Sequence, residues 1–200
     1  AASFRATSRH GGIALIFSGH GTAYAGMAAE PYVRWPAFRQ ALDVCHRVVM
    51  KDGGFDLRRV CCEVDAAAAL KNAEVVQPAL VAMGIALAAQ WRAWGLHPAA
   101  VMGHSIGEYA AAVAAGSLQV EDAIRLACAR GRTIAAHAPE GVMMAAIGRP
   151  EDLARFLEVM PEGTWLAALN SPRQATLAST PSAVVACEGA AAAHRLKLVR

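Results

Sequence analysis

Charge is scarce in this 200-residue chain. Asp, Glu, Lys and Arg make up 18% of it and leave a net charge of +3. The basic residues are scattered, with no Lys/Arg run of the kind that grips nucleic acid, so no nucleic-acid partner is expected. A mild positive balance suits an anionic small substrate. Paired cysteines are missing as well. The five present are Cys45, Cys61, Cys62, Cys128 and Cys187. No two stand in a C-x-x-C pair and their number is odd, which argues against a disulfide framework and against a zinc site. No metal is expected, and the cysteine usage reads as a reducing, cytoplasmic compartment. Cys61 and Cys62 are expected to pack as small apolar residues. No segment is read as apolar for long enough to cross a membrane, because Gln77, Pro78, Gln90 and Arg92 break the run 75–93. The opening AASFRATSRHGG is polar, unlike a signal peptide, and residues 1–11 read as the tail of a linker.

What is abundant is apolar: 56% of the residues are hydrophobic, enough for a real core. Residues 13–17 (IALIF) form a continuous apolar run beside glycines, as expected of a buried parallel strand. Gly19-His20-Gly21 follows. Residues 35–50 read as helical, with Pro36 near the start. Residues 75–94 read as a long helix with Pro78 in its first turn, and Gly95 ends it. A short strand at 98–102 precedes the turn Gly103-His104-Ser105-Ile106-Gly107. Helices follow at 107–115 and 120–136, the second with Glu121 and Asp122 in its first turn, where they suit the helix dipole.

After Pro139 the texture changes. Strands are expected at 142–147, 164–169, 174–179 and 195–199, with helices at 150–160 and 181–193. Asn170-Ser171-Pro172-Arg173 is read as the turn between the second and third of these strands. That order is βαββαβ, the split ferredoxin-like unit. The expected fold is therefore α/β: an α/β-hydrolase-like body over 12–140 and a ferredoxin-like subdomain over 141–200.

The pattern G-x-S-x-G at 103–107 is a nucleophile elbow. The backbone at Ser105 is strained and its neighbours approach closely, so Gly103 and Gly107 have a steric reason to be glycine. The helix that follows aims free N–H groups and a positive dipole end at the serine oxygen. The backbone N–H of Ile106 can bind an oxyanion, and the N–H of His20, in the turn after the first strand, can supply a second donor. The competing turn His10-Gly11-Gly12 precedes the strand, on the wrong side for such a hole.

Several segments together resemble one family. GHSIGEYAAAVAAG at 103–116 resembles the active-site signature of malonyl-CoA:acyl-carrier-protein acyltransferases and of the acyltransferase domains of modular polyketide synthases. IFSGHGTAYAGMA at 16–28, VVQPAL at 75–80, ARGR at 129–132 and AALNSPRQATLAS at 167–179 are similar to further motifs of that family, in the same order. The resemblance implies Ser105 as an acylated nucleophile, with His104 and Gln77 lining the pocket. It implies Arg130 as the partner of a malonyl-type carboxylate, a task that suits a planar, permanently charged guanidinium. It places Asn170 near the cleft. The implied reaction moves a malonyl-type group from CoA to the phosphopantetheine thiol of an acyl carrier protein. No cofactor is needed beyond the CoA thioester substrate, and neighbouring synthase domains are the implied partners.

The chain departs from the family's pattern twice. His20 stands where the family has Gln. The family's general base, a histidine following the last strand of the ferredoxin-like subdomain, has no counterpart up to Arg200, and the expectation is a chain cut from a longer acyltransferase that turns over poorly alone. Two other readings stand beside this one: a serine esterase or thioesterase on a related elbow, and an inert structural domain.

Overall fold

Strand β1 (Ala14–Phe17) pairs in parallel with β2 (Ala100–Gly103), Ala14 opposite Ala100 and Phe17 opposite Gly103. The register matters for the site: both strands end level, so the two glycine turns leave the sheet side by side. The computed structural model describes residues 12–199; the expected linker 1–11, with His10 and Gly11, lies outside them. The chain divides into two units, one ending at Ala138 and the other starting at Pro139.

Parallel neighbours need a crossover. Here it contains α1 (Ala29–Arg34), α2 (Pro36–Asp52), α3 (Leu57–Cys62), two short 3-10 turns and α4 (Ala73–Ala93). Helices α5 (Gly107–Ala114) and α6 (Val120–His137) follow β2. α2 opens on Pro36, whose missing N–H costs nothing at that position. Trp35 offers α2 no side-chain cap, and the free N–H of Phe38 donates instead to Oε1 of buried Gln90 at 3.1 Å, from the far end of α4. A polar residue inside an apolar helix is thereby accounted for.

α4 starts two residues earlier than expected. Asn72 caps it, its side chain accepting from Glu74 N–H at 2.9 Å, so Pro78 is the sixth helical residue and lies beyond the first turn. A second expectation fails on the same helix. By length and composition α4 is apolar enough to cross a membrane, its polar residues notwithstanding, and 61% of its most apolar window is buried inside the protein. It is packed by α2, α5 and α6 around a core that includes Phe38, Leu42, Val81, Ile106 and Ile124. Cys45 and Cys61 sit fully buried in that core; burial pushes the Cys45 thiol up to about 12 and the Cys61 thiol higher still. Cys62 is half-buried.

The second unit runs β3 (Val142–Ile147), α7 (Pro150–Glu158), β4 (Thr164–Ser171), β5 (Gln174–Ser179), α8 (Val184–Ala193) and β6 (Lys197–Val199). Its four strands form one antiparallel sheet in the order β4-β5-β3-β6. Along β5 the residues Ala175, Leu177 and Ser179 are buried while their neighbours are less so, the alternation of a sheet covered on one face. Phe156, Leu153 and Cys187 from the helices complete this core.

Several boundaries differ from those expected: α7 ends at Glu158, and α8 starts at Val184 behind a 3-10 turn over Pro181–Ala183. Asn170 and Ser171 belong to β4, which bulges near its end, and only Pro172-Arg173 form the hairpin turn. β6 starts at Lys197, since Arg195 takes a left-handed φ of 58° and closes α8. Its N–H bonds Ala192 O at 2.9 Å and the next N–H, of Leu196, bonds Ala191 O at 2.9 Å, a Schellman pair.

Candidate active site

Ser105 has a φ of 54°, in the left-handed region that L-residues avoid. Three hydrogen bonds hold it there. His104 N–H donates to Phe17 O at 3.0 Å, Gly107 N–H to His104 O at 3.0 Å, and Glu108 N–H to Ser105 O at 3.1 Å. A Cβ on Gly103 would lie 2.3 Å from the Glu108 nitrogen, and one on Gly107 2.4 Å from Phe17 O. Neither position admits any other residue without the turn opening. Gly19 was not singled out by the sequence pattern, yet a Cβ there would come within 2.8 Å of both Nδ1 and O of His104. It is what lets the first turn lie against the second.

The side chain of Ile106 is wholly buried in the core, so only its backbone faces the turn. The N–H groups of Ile106 and His20 have no hydrogen-bond acceptor among the described residues. The first stands at the start of α5, where the helix dipole adds positive potential. His104 is exposed, its ring beside Gly19.

Arg130 reaches this turn from α6. Its Nη2 lies 3.4 Å from Ser105 Oγ, the long end of a hydrogen bond, which leaves the guanidinium room for another acceptor. Its Nη1 donates to Oε1 of Gln77, a residue only 3% exposed on α4. The Gln77 amide nitrogen is in turn 3.1 Å from Nδ1 of His20. Four residues read separately in the sequence thus form one hydrogen-bonded chain: His20, Gln77, Arg130, Ser105. The next residue, Gly131, makes the approach possible. A Cβ on it would sit 2.7 Å from Ala73 O, so α6 can meet the start of α4 only through a glycine. The motif ARGR contains the signal, but nothing in sequence alone says which backbone Gly131 meets.

Ser105, Glu108, Tyr109, Ala112, Leu118 and Arg130 line a cleft of about 500 Å³. A more apolar groove of about 400 Å³, with Tyr24, Trp35, Leu80 and Trp91 in its wall, does not include the serine. Among the described residues Ser105 Oγ bonds to Arg130 alone, a group that accepts no proton. Asn170 belongs to the second unit. Its Nδ2 donates to Thr176 Oγ1 at 2.9 Å across β4 and β5.

Residues 14–195 match the family model described as acyl transferase domain. The spectinabilin polyketide synthase system protein NorC of Streptomyces orinoci is 39% identical over 187 residues, 93% of this chain and 8% of that protein. The acyltransferase domain from the second module of the salinomycin polyketide synthase superposes with a TM-score of 0.82 at 33% identity, over 94% of this chain and 44% of that one. A type II polyketide synthase malonyl-transacylase, solved in complex with its acyl-carrier protein, gives a TM-score of 0.81 at 30% identity, over 94% of this chain and 61% of that one. The chain spans less than a tenth of that curated relative and under two thirds of either solved one. Sequence and structure agree: the chain belongs to the acyl transferase domain family, among its modular polyketide synthase members.

Proposed function

We propose that this chain carries a malonyl-type acyl group from CoA to an acyl carrier protein through an ester on Ser105. The observation that carries the reading is the pairing of a strained, exposed Ser105 with a guanidinium 3.4 Å from its Oγ. Ser105 Oγ attacks the thioester carbonyl and loses its proton, which the CoA sulfur takes up as it departs. The oxyanion is received by the N–H groups of Ile106 and His20. Collapse breaks the C–S bond, expels CoA as its thiol and leaves the ester. The phosphopantetheine thiol then attacks the same carbonyl and returns Ser105 to its hydroxyl form.

Arg130 holds the free carboxylate throughout. An acyl group without one leaves the cation unpaired in the cleft, which is the basis of selection against acetyl. Gln77 orients that arginine, and His104 stands beside Gly19 at the turn. The first unit is read as α/β-hydrolase-like and the second as ferredoxin-like. No metal or redox cofactor enters the reaction, the compartment is the cytoplasm, and the likeness to a malonyl-transacylase bound to its carrier protein supports the choice of acceptor.

The test is labelled malonyl-CoA given to the full-length protein. Stable label on Ser105, discharged by holo-carrier protein and lost in Ser105→Ala, is the expected result. Rapid release as free malonate identifies a hydrolase instead, and an unlabelled serine identifies an inert domain.

A further inference from the structure

His20 lies 57 positions from Gln77 in sequence, and its imidazole Nδ1 is 3.1 Å from the Gln77 amide nitrogen. The direction of that hydrogen bond follows from the other end of the amide. Arg130 has only donors, so the atom of Gln77 facing it must be the carbonyl oxygen. The amide NH2 therefore faces His20, and Nδ1 must present a lone pair. The tautomer that fits this bond carries its ring proton on Nε2. With the amide turned over, NH2 would oppose guanidinium N–H, two donors in contact at a buried position. Only one orientation satisfies all three groups: Arg130 demands the carbonyl oxygen, and the acceptor on His20 completes the arrangement by pairing the NH2.

We infer that His20 is a positioning residue: through Gln77 it fixes the Arg130 guanidinium beside Ser105, and so sets the preference of the site for carboxylated over uncharged acyl thioesters. The inference rests on the reading of Arg130 as the carboxylate's partner. It gives the His20 side chain a role separate from its backbone N–H. Gln77 is buried, so its NH2 cannot simply turn to bulk water when the acceptor goes. The unpaired NH2 destabilises the amide where it stands, so Gln77 shifts, and Arg130 loses the anchor that leaves its Nη2 aimed at the serine.

The chemistry required of position 20 is narrow. It must offer an acceptor at the reach of an imidazole. Gln offers one through its Oε1; Leu fills a similar volume and offers none.

The experiment measures kcat/KM for malonyl-CoA and acetyl-CoA in the full-length protein and in its Arg130→Ala, His20→Leu and His20→Gln variants. The readout is the malonyl-to-acetyl ratio, with kcat and KM resolved separately. Arg130→Ala must collapse the ratio; if it does not, the carboxylate reading fails and this inference with it. Given that collapse, His20→Leu is expected to lower the ratio about tenfold, the worth of one buried hydrogen bond, mainly through a raised KM for malonyl-CoA. His20→Gln is expected to restore it to within about twofold, as an acceptor in place should. A ratio unmoved in His20→Leu overturns the inference while leaving the carboxylate reading intact. So does a fall that His20→Gln fails to rescue, because the acceptor would then not be what matters.

Discussion

A serine held at φ 54° stores energy that a glycine in the same place would not. The left-handed conformation costs an L-residue about 1–2 kcal/mol. It persists because Gly103, Gly107 and Gly19 leave no slack for the turn to relax. Ser105→Gly is therefore expected to be about 1 kcal/mol more stable than Ser105→Ala, read as a higher denaturant midpoint, with both equally unable to take up label. Equal stability of the two variants would mean the turn is not strained at that residue. The elbow was legible in the sequence because its steric demands are local: five residues, two of them glycine for a nameable reason. Gly19 and Gly131 obey the same steric rule, but the atoms they avoid lie far away in sequence, at His104 and Ala73, so no local pattern reveals them. The family resemblance points to Gln77 and Arg130 and the turn after β1 points to His20, while the bonds that join them span 57 and 53 positions, beyond any local pattern.

Elements were legible where one signal dominates. The run 142–147 forms a strand over those same residues because a short apolar run, its length and the flanking Gly141 and Gly148 agree. Boundaries slipped where a single side chain overrides the pattern. Asn72 caps α4 ahead of its apolar run, Arg195 takes the left-handed turn that closes α8, and the bulged end of β4 absorbs two residues with turn propensity. The corner between α2 and α3 shows another element-scale dependence. Asp56 caps α3, accepting from Arg58 N–H at 3.0 Å and Arg59 N–H at 3.1 Å, and its Oδ1 is 3.5 Å from Nδ1 of buried His46. Burial pushes the His46 imidazole below its usual pKa and the Arg58 guanidinium adds to this; Asp56 and Asp43 offset only part of it. Burial also raises the Asp56 carboxyl, but the Arg59 and Arg58 N–H groups and His46 outweigh it and hold it low.

The signs place these two effects in different pH windows. Above about 6.5, the ordinary histidine value, His46 is neutral whether folded or unfolded, and its contribution is fully present. As pH falls below that value the unfolded chain takes the proton first, and stability drops until the folded imidazole also titrates. Asp56 contributes above its ordinary value near 3.8 and loses that contribution only as pH falls further, through its folded value. Urea unfolding at pH 7.5 and 5.5 is thus expected to show a larger loss of stability on acidification in the parent than in His46→Gln. A loss of the same size in both would remove His46 as its source.

Taken whole, the chain has two cores of unequal size, and size decides what each can tolerate. The first unit extends to Ala138, and the second comprises roughly sixty residues from Pro139. At about 0.05–0.15 kcal/mol per residue, a unit of sixty residues holds some 3–9 kcal/mol, and one more than twice as long holds proportionately more. Phe156 is fully buried at the centre of the smaller core, beside Leu153, Met144 and Leu177. Truncating a buried phenylalanine to alanine costs about 3–5 kcal/mol, most of what a unit of this size has. Leu42, fully buried in the larger core, costs about 2–5 kcal/mol when truncated and leaves a margin. Hydrogen exchange followed segment by segment separates the two cases. In Phe156→Ala, the amides of β3, β5, α7 and α8 are expected to lose most of their protection at 25 °C. In Leu42→Ala, those of α2, α4 and α6 should exchange faster yet stay measurably protected. Protection in the second unit that survives Phe156→Ala would show that its stability comes from more than its own small core.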